Sequence, residues 1–388
     1  MDFSKENKIS NTRNSNTINI KESKKRKFKF RYILLILVVI IAYYIIKYNV
    51  IISDILNPKQ LSSTISKNVT LTNQYSLNGE LYFVKNNNLW RIAGVTSRQI
   101  THTNNVSDIA VSKNGKKVSY ISFHTNYSNL HQMNINGENN IRITNWANPN
   151  INNNAWSATP AYSPNGQYIS YLSNINKLIT GVPIAGLGVW MIPSNASFSS
   201  YISQIYNETN LIVPTSYTGG DADLTWPNNN YLLYTYYIYY TNTPQPNSQI
   251  MLYDFSTQQS YPVTPVSSNT MEPRLSPNGK YLAYTRRVGN NNNYLYIMDF
   301  NLNSILNNTE NSSFNTYKTT SQLVNSGVNS QPTWSPKGNH LAFISLNNNS
   351  FDIALKSIKY KNNKLVFGHL LYLTISSNVD STSKMYWL

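Results

Sequence analysis

The chain has 388 residues, with 32 Lys and Arg against 16 Asp and Glu, and its formal net charge is +16 at pH 7. It has no cysteine, which excludes disulfide bonds, a cysteine nucleophile and zinc–thiolate sites. Residues 1–60 carry 12 basic and 4 acidic residues, so half of the net charge lies there, and the remainder shows no basic patch with interleaved aromatics that would predict nucleic-acid binding.

The N-terminal part predicts a membrane anchor. Residues 1–31 are polar and end in a cluster of seven basic side chains, and residues 32–52 form an apolar stretch in which Lys47 is the one charged residue. These 21 residues are long enough to cross a hydrocarbon core of about 30 Å as one helix. No small-x-small cleavage motif follows, which favours an uncleaved anchor over a signal peptide. The basic cluster places residues 1–31 in the cytoplasm and the remainder outside the cell membrane.

Residues 53–75 are rich in Ser, Thr and Asn and predict a stalk. A short motif then recurs through residues 76–388. In its clearest copy, Ser276–Tyr284, a Ser-Pro-Asn-Gly turn precedes a run of alternating side chains, which predicts a hairpin closed by a two-residue turn. Related copies begin at Gly79, Ser112, Ser163, Trp226 and Ser335, and the copy at Trp226 has Asn where Gly is expected.

Two further strand-like segments follow each copy. The first is apolar, as in Leu295–Met298, and the second is short, as in Gln322–Val324. Four strands per unit in six units predict an all-β fold, a six-bladed β-propeller. The first unit lacks an innermost strand of its own, and Ser383–Leu388 resembles that missing strand. We therefore expect the C-terminal segment to close the ring by joining the first blade.

The sequence Ser-Pro-Asn-Gly-Lys-Tyr-Leu-Ala-Tyr, with Leu-Tyr-Ile-Met-Asp after it, resembles the WD-like repeat of TolB-type propellers over about residues 76–388. Family copies usually carry Asp in the turn, where this chain has Asn165, Asn278 or Lys337. The resemblance implies the propeller fold, and the same motif occurs both in the propellers of prolyl-oligopeptidase-like enzymes and in many binding proteins. The resemblance does not imply the role of TolB itself, because residues 53–75 are too short for the N-terminal α/β domain of TolB.

The sequence contains no Gly-x-Ser-x-Gly and no His-Glu-x-x-His motif, and it predicts no catalytic residue and no bound cofactor. Aligning the blades by their turns brings one residue from each innermost strand into a ring at one mouth of the channel. The ring residues are Asp108, Thr159, Ala222, Glu272, Gln331 and Lys384, and Asp221 and Asp223 flank Ala222.

Two interpretations of this ring stay open. In the first, Asp108, Asp221, Asp223 and Glu272 are candidate ligands of a cation such as Ca²⁺, which prefers several oxygen ligands, while Thr159, Gln331 and Lys384 bind a polar ligand. In the second, the same side chains only order the starts of the strands.

Two functions from different classes agree with these features. The first is a membrane-anchored, non-enzymatic module outside the cell that binds or scaffolds another extracytoplasmic protein, a peptide or a glycan. The alternative is a propeller hydrolase or lyase with a site at the channel mouth. No nucleic-acid partner is expected.

Overall fold

The computed structural model describes residues 68–72, 75–175, 186–197, 210–214, 219–239, 245–307, 310–361 and 364–388. These residues form six antiparallel sheets, each of four or five strands. The predicted tail of residues 1–31 and the predicted anchor of residues 32–52 lie outside the described residues. No helix in the described part of the chain has the length and apolar character of a membrane span.

The six sheets are the predicted blades, and their strands follow one another from the channel outward. Blade 1 contains β1 (Leu77–Lys85), β2 (Asn88–Gly94) and β3 (Thr96–Gln99). Blade 2 contains β4 (Ile109–Val111), β5 (Lys117–Phe123), β6 (Ser128–Asn134) and β7 (Ile141–Arg142). Blade 3 contains β8 (Ser157–Tyr162), β9 (Tyr168–Ser173), β10 (Gly188–Pro193) and β11 (Asn210–Val213).

The remaining blades repeat this order. Blade 4 contains β12 (Gly219–Asn228), β13 (Tyr231–Ile238), β14 (Asn247–Asp254) and β15 (Gln259–Pro262). Blade 5 contains β16 (Thr270–Leu275), β17 (Tyr281–Val288), β18 (Asn292–Asp299) and β19 (Gln322–Asn325). Blade 6 contains β20 (Asn329–Trp334), β21 (His340–Asn347), β22 (Ser350–Lys361), β23 (Lys364–Phe367) and β24 (Leu371–Tyr372). The last strand, β25 (Tyr386–Trp387), belongs to blade 1.

The C-terminal strand closes the ring as the sequence predicts. Trp387 pairs with Leu81 and Tyr386 with Tyr82, so β25 is the innermost strand of blade 1. The backbone of Leu388 extends this pairing, since it donates to and accepts from Glu80 at 2.9 Å. The backbones approach so closely here that a Cβ added to Gly79 would lie 2.1 Å from the Leu388 carbonyl oxygen.

The repeated turn is longer than the predicted two-residue turn, and that prediction is wrong. Gly279 N–H donates to the Ser276 carbonyl at 2.9 Å, and the left-handed residue is Gly279 (φ +70°) rather than Asn278. Ser276 Oγ accepts from Tyr281 N–H at 2.9 Å, and Asn278 Oδ1 accepts from Ser276 Oγ at 2.7 Å and from Lys280 N–H at 3.1 Å. The amide oxygen of Asn278 therefore provides the acceptor that a carboxylate would provide, and the turn keeps its geometry without Asp.

Buried aromatic side chains fix the register of the blades. The aromatic residues that recur five positions after each turn are almost fully buried, and they are Tyr120, Tyr171, Tyr234, Tyr284 and Phe343. Each packs in a cluster of apolar residues from its own and adjacent blades. The core therefore lies between the sheets, as a propeller requires.

Three features add to the regular repeat. Residues 68–72, inside the predicted stalk, contact blade 6, where Leu71 bridges to Thr374 and Val69 is buried. Between β18 and β19, blade 5 inserts two helices, α1 (Leu302–Leu306) and α2 (Glu310–Thr320). Blade 6 extends β22 beyond the ring and pairs its end with β23, a hairpin that the sequence analysis does not predict.

Candidate functional site

A β-bulge shapes the start of the innermost strand in four blades. The register shifts between Ala158 and Ala161, and equivalent shifts occur in β12, β16 and β20. Each bulge holds one non-glycine residue at positive φ, and these residues are Thr159 (38°), Asp223 (50°), Glu272 (57°) and Gln331 (49°). Such backbone conformations are uncommon away from glycine and require support from the surrounding structure.

One member of the ring predicted from the sequence differs in the structure. Asp223, rather than Ala222, shares the conformation of Thr159, Glu272 and Gln331. The turn of blade 4 is shorter than the others, since Asn228 pairs with Tyr231. An alignment of the blades by their turns therefore assigns the ring position of blade 4 to the residue before Asp223. Neither Asn229 nor Asn230 in that turn has positive φ, so the Asn that stands in place of Gly is not left-handed.

Hydrogen bonds between blades join the ring residues. Glu272 N–H donates to Asp223 Oδ2 at 3.2 Å, and the Gln331 backbone and side chain donate to the two Glu272 oxygens at 2.9 and 3.0 Å. Gln331 Nε2 also donates to the Thr382 carbonyl of the closing segment at 3.3 Å. The predicted convergence is therefore present on this side of the channel.

Lys384 completes the ring on the opposite side. Its ammonium lies 3.0 Å from Asp108 Oδ2 and donates to the Pro160 carbonyl at 2.7 Å, while its backbone N–H donates to Asp108 Oδ1 at 2.9 Å. Lys384 is only 1% exposed. These contacts link blades 1, 2 and 3 across the channel, so the ring residues mainly bond to one another.

The acidic side chains separate into different environments. Asp108 is paired with Lys384, whereas Asp223 and Glu272 are neighbours. Asp221 has a different environment: its Oδ2 is buried without a hydrogen-bond partner in the described residues, and burial raises its pKa well above the ordinary value. No group of three or more His, Cys, Asp or Glu side chains in the described residues could hold a metal ion, and the Ca²⁺ hypothesis stays a prediction.

Burial raises the pKa of Glu272, and the neighbouring Asp223 carboxyl raises it further, against hydrogen bonds from Gln331 and Thr285 that favour the carboxylate. Burial also raises the pKa of Asp223. The cause is physical: two carboxylates with little access to water repel each other, so one proton is retained more readily.

We therefore expect the free energy of unfolding to fall as the pH rises. The folded state holds the Glu272 proton more tightly than the unfolded chain, whose Glu has a pKa of 4.5, so the stabilisation is complete below pH 4.5 and is lost as the pH passes the folded pKa. Urea unfolding at about pH 5 and about pH 8 measures the difference. Glu272→Gln should flatten it, whereas Glu138→Gln at an exposed turn should not; equal slopes in wild type and Glu272→Gln would contradict the assignment.

A cavity of about 240 Å³ lies one layer beyond the ring, and we call it the funnel. All six blades line it, and its mouth includes the turn residues Lys113 and Pro164 and, near the end of β12, Pro227. The residue two positions after each ring residue lies on the same face of its strand. That layer holds Ala110, Ala161, Thr225, Arg274, Thr333 and Tyr386, and all except Ala110 line the funnel.

Arg274 lines the funnel and is absent from the residues predicted from the sequence. It is 9% exposed, and it donates to the Pro273 carbonyl at 2.9 Å and to Gln331 Oε1 at 3.2 Å. A signal was present, because the equivalent position in the other blades holds Ala, Thr or Tyr, and Arg274 is the one charged residue among them. Among the described residues, the funnel is thus lined by two cationic side chains, Arg274 inside and the exposed Lys113 at the mouth, and by no Asp or Glu side chain.

A second, larger groove of about 1220 Å³ lies on blades 5 and 6. Helix α1, the end of α2 and the hairpin of β22 and β23 wall it, and Tyr281, Tyr360, Lys280 and Lys364 are among its lining residues. Both walls are insertions that belong to single blades. Repeat alignment detects what the blades share, so it could not predict this groove.

Comparisons with known proteins agree with the fold. A family model described as the dipeptidyl peptidase IV (DPP IV) N-terminal region matches residues 231–363. TolB from Acinetobacter baumannii is similar with a TM-score of 0.54 and 16% identity, over 79% of this chain and 67% of that one. A putative TolB from Agrobacterium tumefaciens has a TM-score of 0.47 and 12% identity, over 80% and 94%. A search of curated proteins finds no match. The resemblance to TolB-like six-bladed propellers is confirmed at the level of the fold.

Proposed function

We propose that this TolB-like propeller is a non-enzymatic binding module that holds a polypeptide partner at the mouth of the funnel. The observation that carries the proposal is that all six innermost strands contribute to one open cavity. Each side of the cavity is formed by a strand of a different blade, so the closed ring of blades holds the cavity in its shape. A preformed site loses little conformational freedom when a partner binds.

The chemistry of the mouth supports a polypeptide partner. Trp226, Tyr162 and Tyr386 give the funnel aromatic surface, and Pro164 and Pro227 stiffen its rim. Rigid aromatic side chains beside a few polar groups are typical of protein-binding sites. Lys113 adds an exposed positive charge where a partner would first arrive.

The test is site-specific photo-crosslinking in cells that express the full chain. We expect p-benzoylphenylalanine at position 113 to label one polypeptide in a stoichiometric adduct. Lys337 is the matched control because it is an exposed lysine in the equivalent turn of blade 6 but does not line the funnel. Thr333→Leu, which fills the funnel from its wall, should suppress the adduct at 113. Equal labelling from 113 and 337, or labelling that ignores Thr333→Leu, would contradict the proposal.

We also propose that residues 32–52 anchor the propeller to the cell membrane with the binding module outside. The support is the apolar stretch and the basic cluster that precedes it. Protease added to intact cells should therefore digest the propeller while an N-terminal tag is protected. After the cells are lysed, the tag should be cleaved as well. Protection of the propeller in intact cells would reverse the topology.

A further inference from the structure

Arg274 is a buried cation that forms no ion pair with a carboxylate of the described residues. The described residues contain two ion pairs, between Arg91 and Glu80 and between Lys384 and Asp108, and neither includes Arg274. Burying a charge is costly unless an opposite charge or several hydrogen bonds compensate it. In the described residues, the compensation consists of two hydrogen bonds to neutral acceptors and of the Glu272 and Asp223 carboxyls, which form no ion pair with Arg274. Arg274 is 9% exposed and lines the funnel.

The guanidinium retains donors for a ligand. It has five N–H groups, and within the described residues it donates two hydrogen bonds, to the Pro273 carbonyl and to Gln331 Oε1. Both acceptors are neutral. The remaining N–H groups belong to a planar fork whose geometry matches the two oxygens of a carboxylate.

The surrounding charges leave this position open to an anion. Glu272 and Asp223 act on Arg274 from the ring without forming an ion pair with it, and burial raises the pKa of both carboxyls. Asp108 is already neutralised by Lys384. Toward the mouth, the other charged side chain among the described residues that line the funnel is Lys113, a second cation.

We propose that Arg274 binds a carboxylate at the inner end of the funnel, and that this carboxylate belongs to a peptide segment entering from the mouth. The inference rests on the proposed function, because it names the chemical group that the same cavity recognises. The funnel has room for such a group, since a cavity of about 10–15 Å³ holds one water and the funnel offers about 240 Å³. The carboxylate comes from a chain terminus or from an Asp or Glu side chain.

Small peptides separate these two sources. The probes are acetyl-Ala-Ala with a free carboxylate, acetyl-Ala-Ala-amide, and acetyl-Ala-Asp-amide, titrated into the purified full chain by calorimetry in chloride-free buffer. We expect at least one acidic probe to bind about tenfold more tightly than the neutral amide, as a charge-assisted bidentate contact predicts. Preference for the first probe identifies a chain terminus, and preference for the third identifies an acidic side chain.

Variants then assign the contact to Arg274. Arg274→Gln should weaken the preferred acidic probe about tenfold or more, Arg274→Lys should weaken it less, and Lys113→Gln should change it about threefold at most, because screening reduces the effect of an exposed charge. Thr333→Leu keeps Arg274 and fills the funnel, so it should abolish binding even if Arg274→Gln does not fold.

Equal binding of acidic and neutral probes, or of the acidic probe to wild type and Arg274→Gln, would overturn the inference. So would sulfate displacing the probe at equal concentration, which would indicate an adventitious anion only. Failure of this inference is distinct from failure of the proposed function. A partner that crosslinks at position 113 but ignores Arg274→Gln leaves the binding module standing, whereas acidic probes that bind through Arg274 without any crosslinked partner leave only the carboxylate site.

Discussion

Deletion of Ser383–Leu388 should abolish the cooperative unfolding transition of the propeller. The segment supplies the innermost strand of blade 1 through Trp387 and Tyr386, so its loss exposes an edge of β1 at the centre of the ring. It also removes Trp387, which is 6% exposed and donates to the Asn78 carbonyl at 2.8 Å.

The magnitudes support a complete loss. Removing a buried Trp costs about 3–5 kcal/mol, and removing one partner of a buried ion pair, here Lys384 from Asp108, costs about 3–5 kcal/mol. Their sum is comparable to the whole stability of a typical domain, about 5–15 kcal/mol. Circular dichroism and calorimetric melts measure the transition.

Point variants separate the contribution of the Trp387 side chain from the effect of removing six residues. Trp387→Ala should lose about 3–5 kcal/mol and Trp387→Phe clearly less, because the ring of Phe still fills much of the site. Trp156→Ala, at a half-buried loop position, should lose less than Trp387→Ala. A truncated chain that melts with wild-type cooperativity would show that the ring does not depend on its C-terminal strand.

The repeat made the fold predictable from the sequence. A hairpin such as Ser276–Tyr284 combines turn residues with alternating burial, and both signals are local. Six such units can bury their faces only against one another, so the ring and its closure by Trp387 follow from the count. The ring of channel residues was predictable for the same reason, because equivalent positions in equivalent strands lie at equal depth.

What the sequence could not predict depends on departures from the repeat. The shorter turn of blade 4 moves Asp223 into the place expected for Ala222. The groove on blades 5 and 6 is walled by insertions with no equivalent in other blades. The partner of each charge is also a long-range property: Lys384 pairs with Asp108 across 276 positions, whereas neither ion pair of the described residues includes Arg274. Composition and spacing carry no information about which buried charge is left unpaired.

The buried pair of Lys384 and Asp108 should be strongly coupled in stability. Lys384→Met leaves the Asp108 carboxylate without its counter-ion and removes the hydrogen bond to the Pro160 carbonyl, so we expect a loss of about 3–5 kcal/mol. Asp108→Asn leaves a buried ammonium and should be costly as well. The double variant should cost less than the sum of the two, since it leaves no uncompensated charge.

Lys356→Met is the matched control for this double-mutant cycle. Lys356 is half-buried and donates to the Val324 carbonyl at 2.6 Å, but it belongs to no ion pair in the described residues, so its loss should cost about 1 kcal/mol. Urea unfolding of the four chains of the cycle measures the coupling. Strictly additive losses would mean that the two charges do not stabilise each other.

The pH dependence gives an independent readout of the same pair. Burial lowers the pKa of Lys384 from 10.5 to about 8, so the unfolded chain binds this proton more tightly than the folded chain between those values. Stability from this site therefore rises with pH across that window, and Lys384→Met should lack the rise while Lys356→Met retains it. A wild-type chain whose stability follows the same pH curve as Lys384→Met would place the Lys384 ammonium in contact with water, and the ring could not then be the closed set of contacts that links blades 1, 2 and 3.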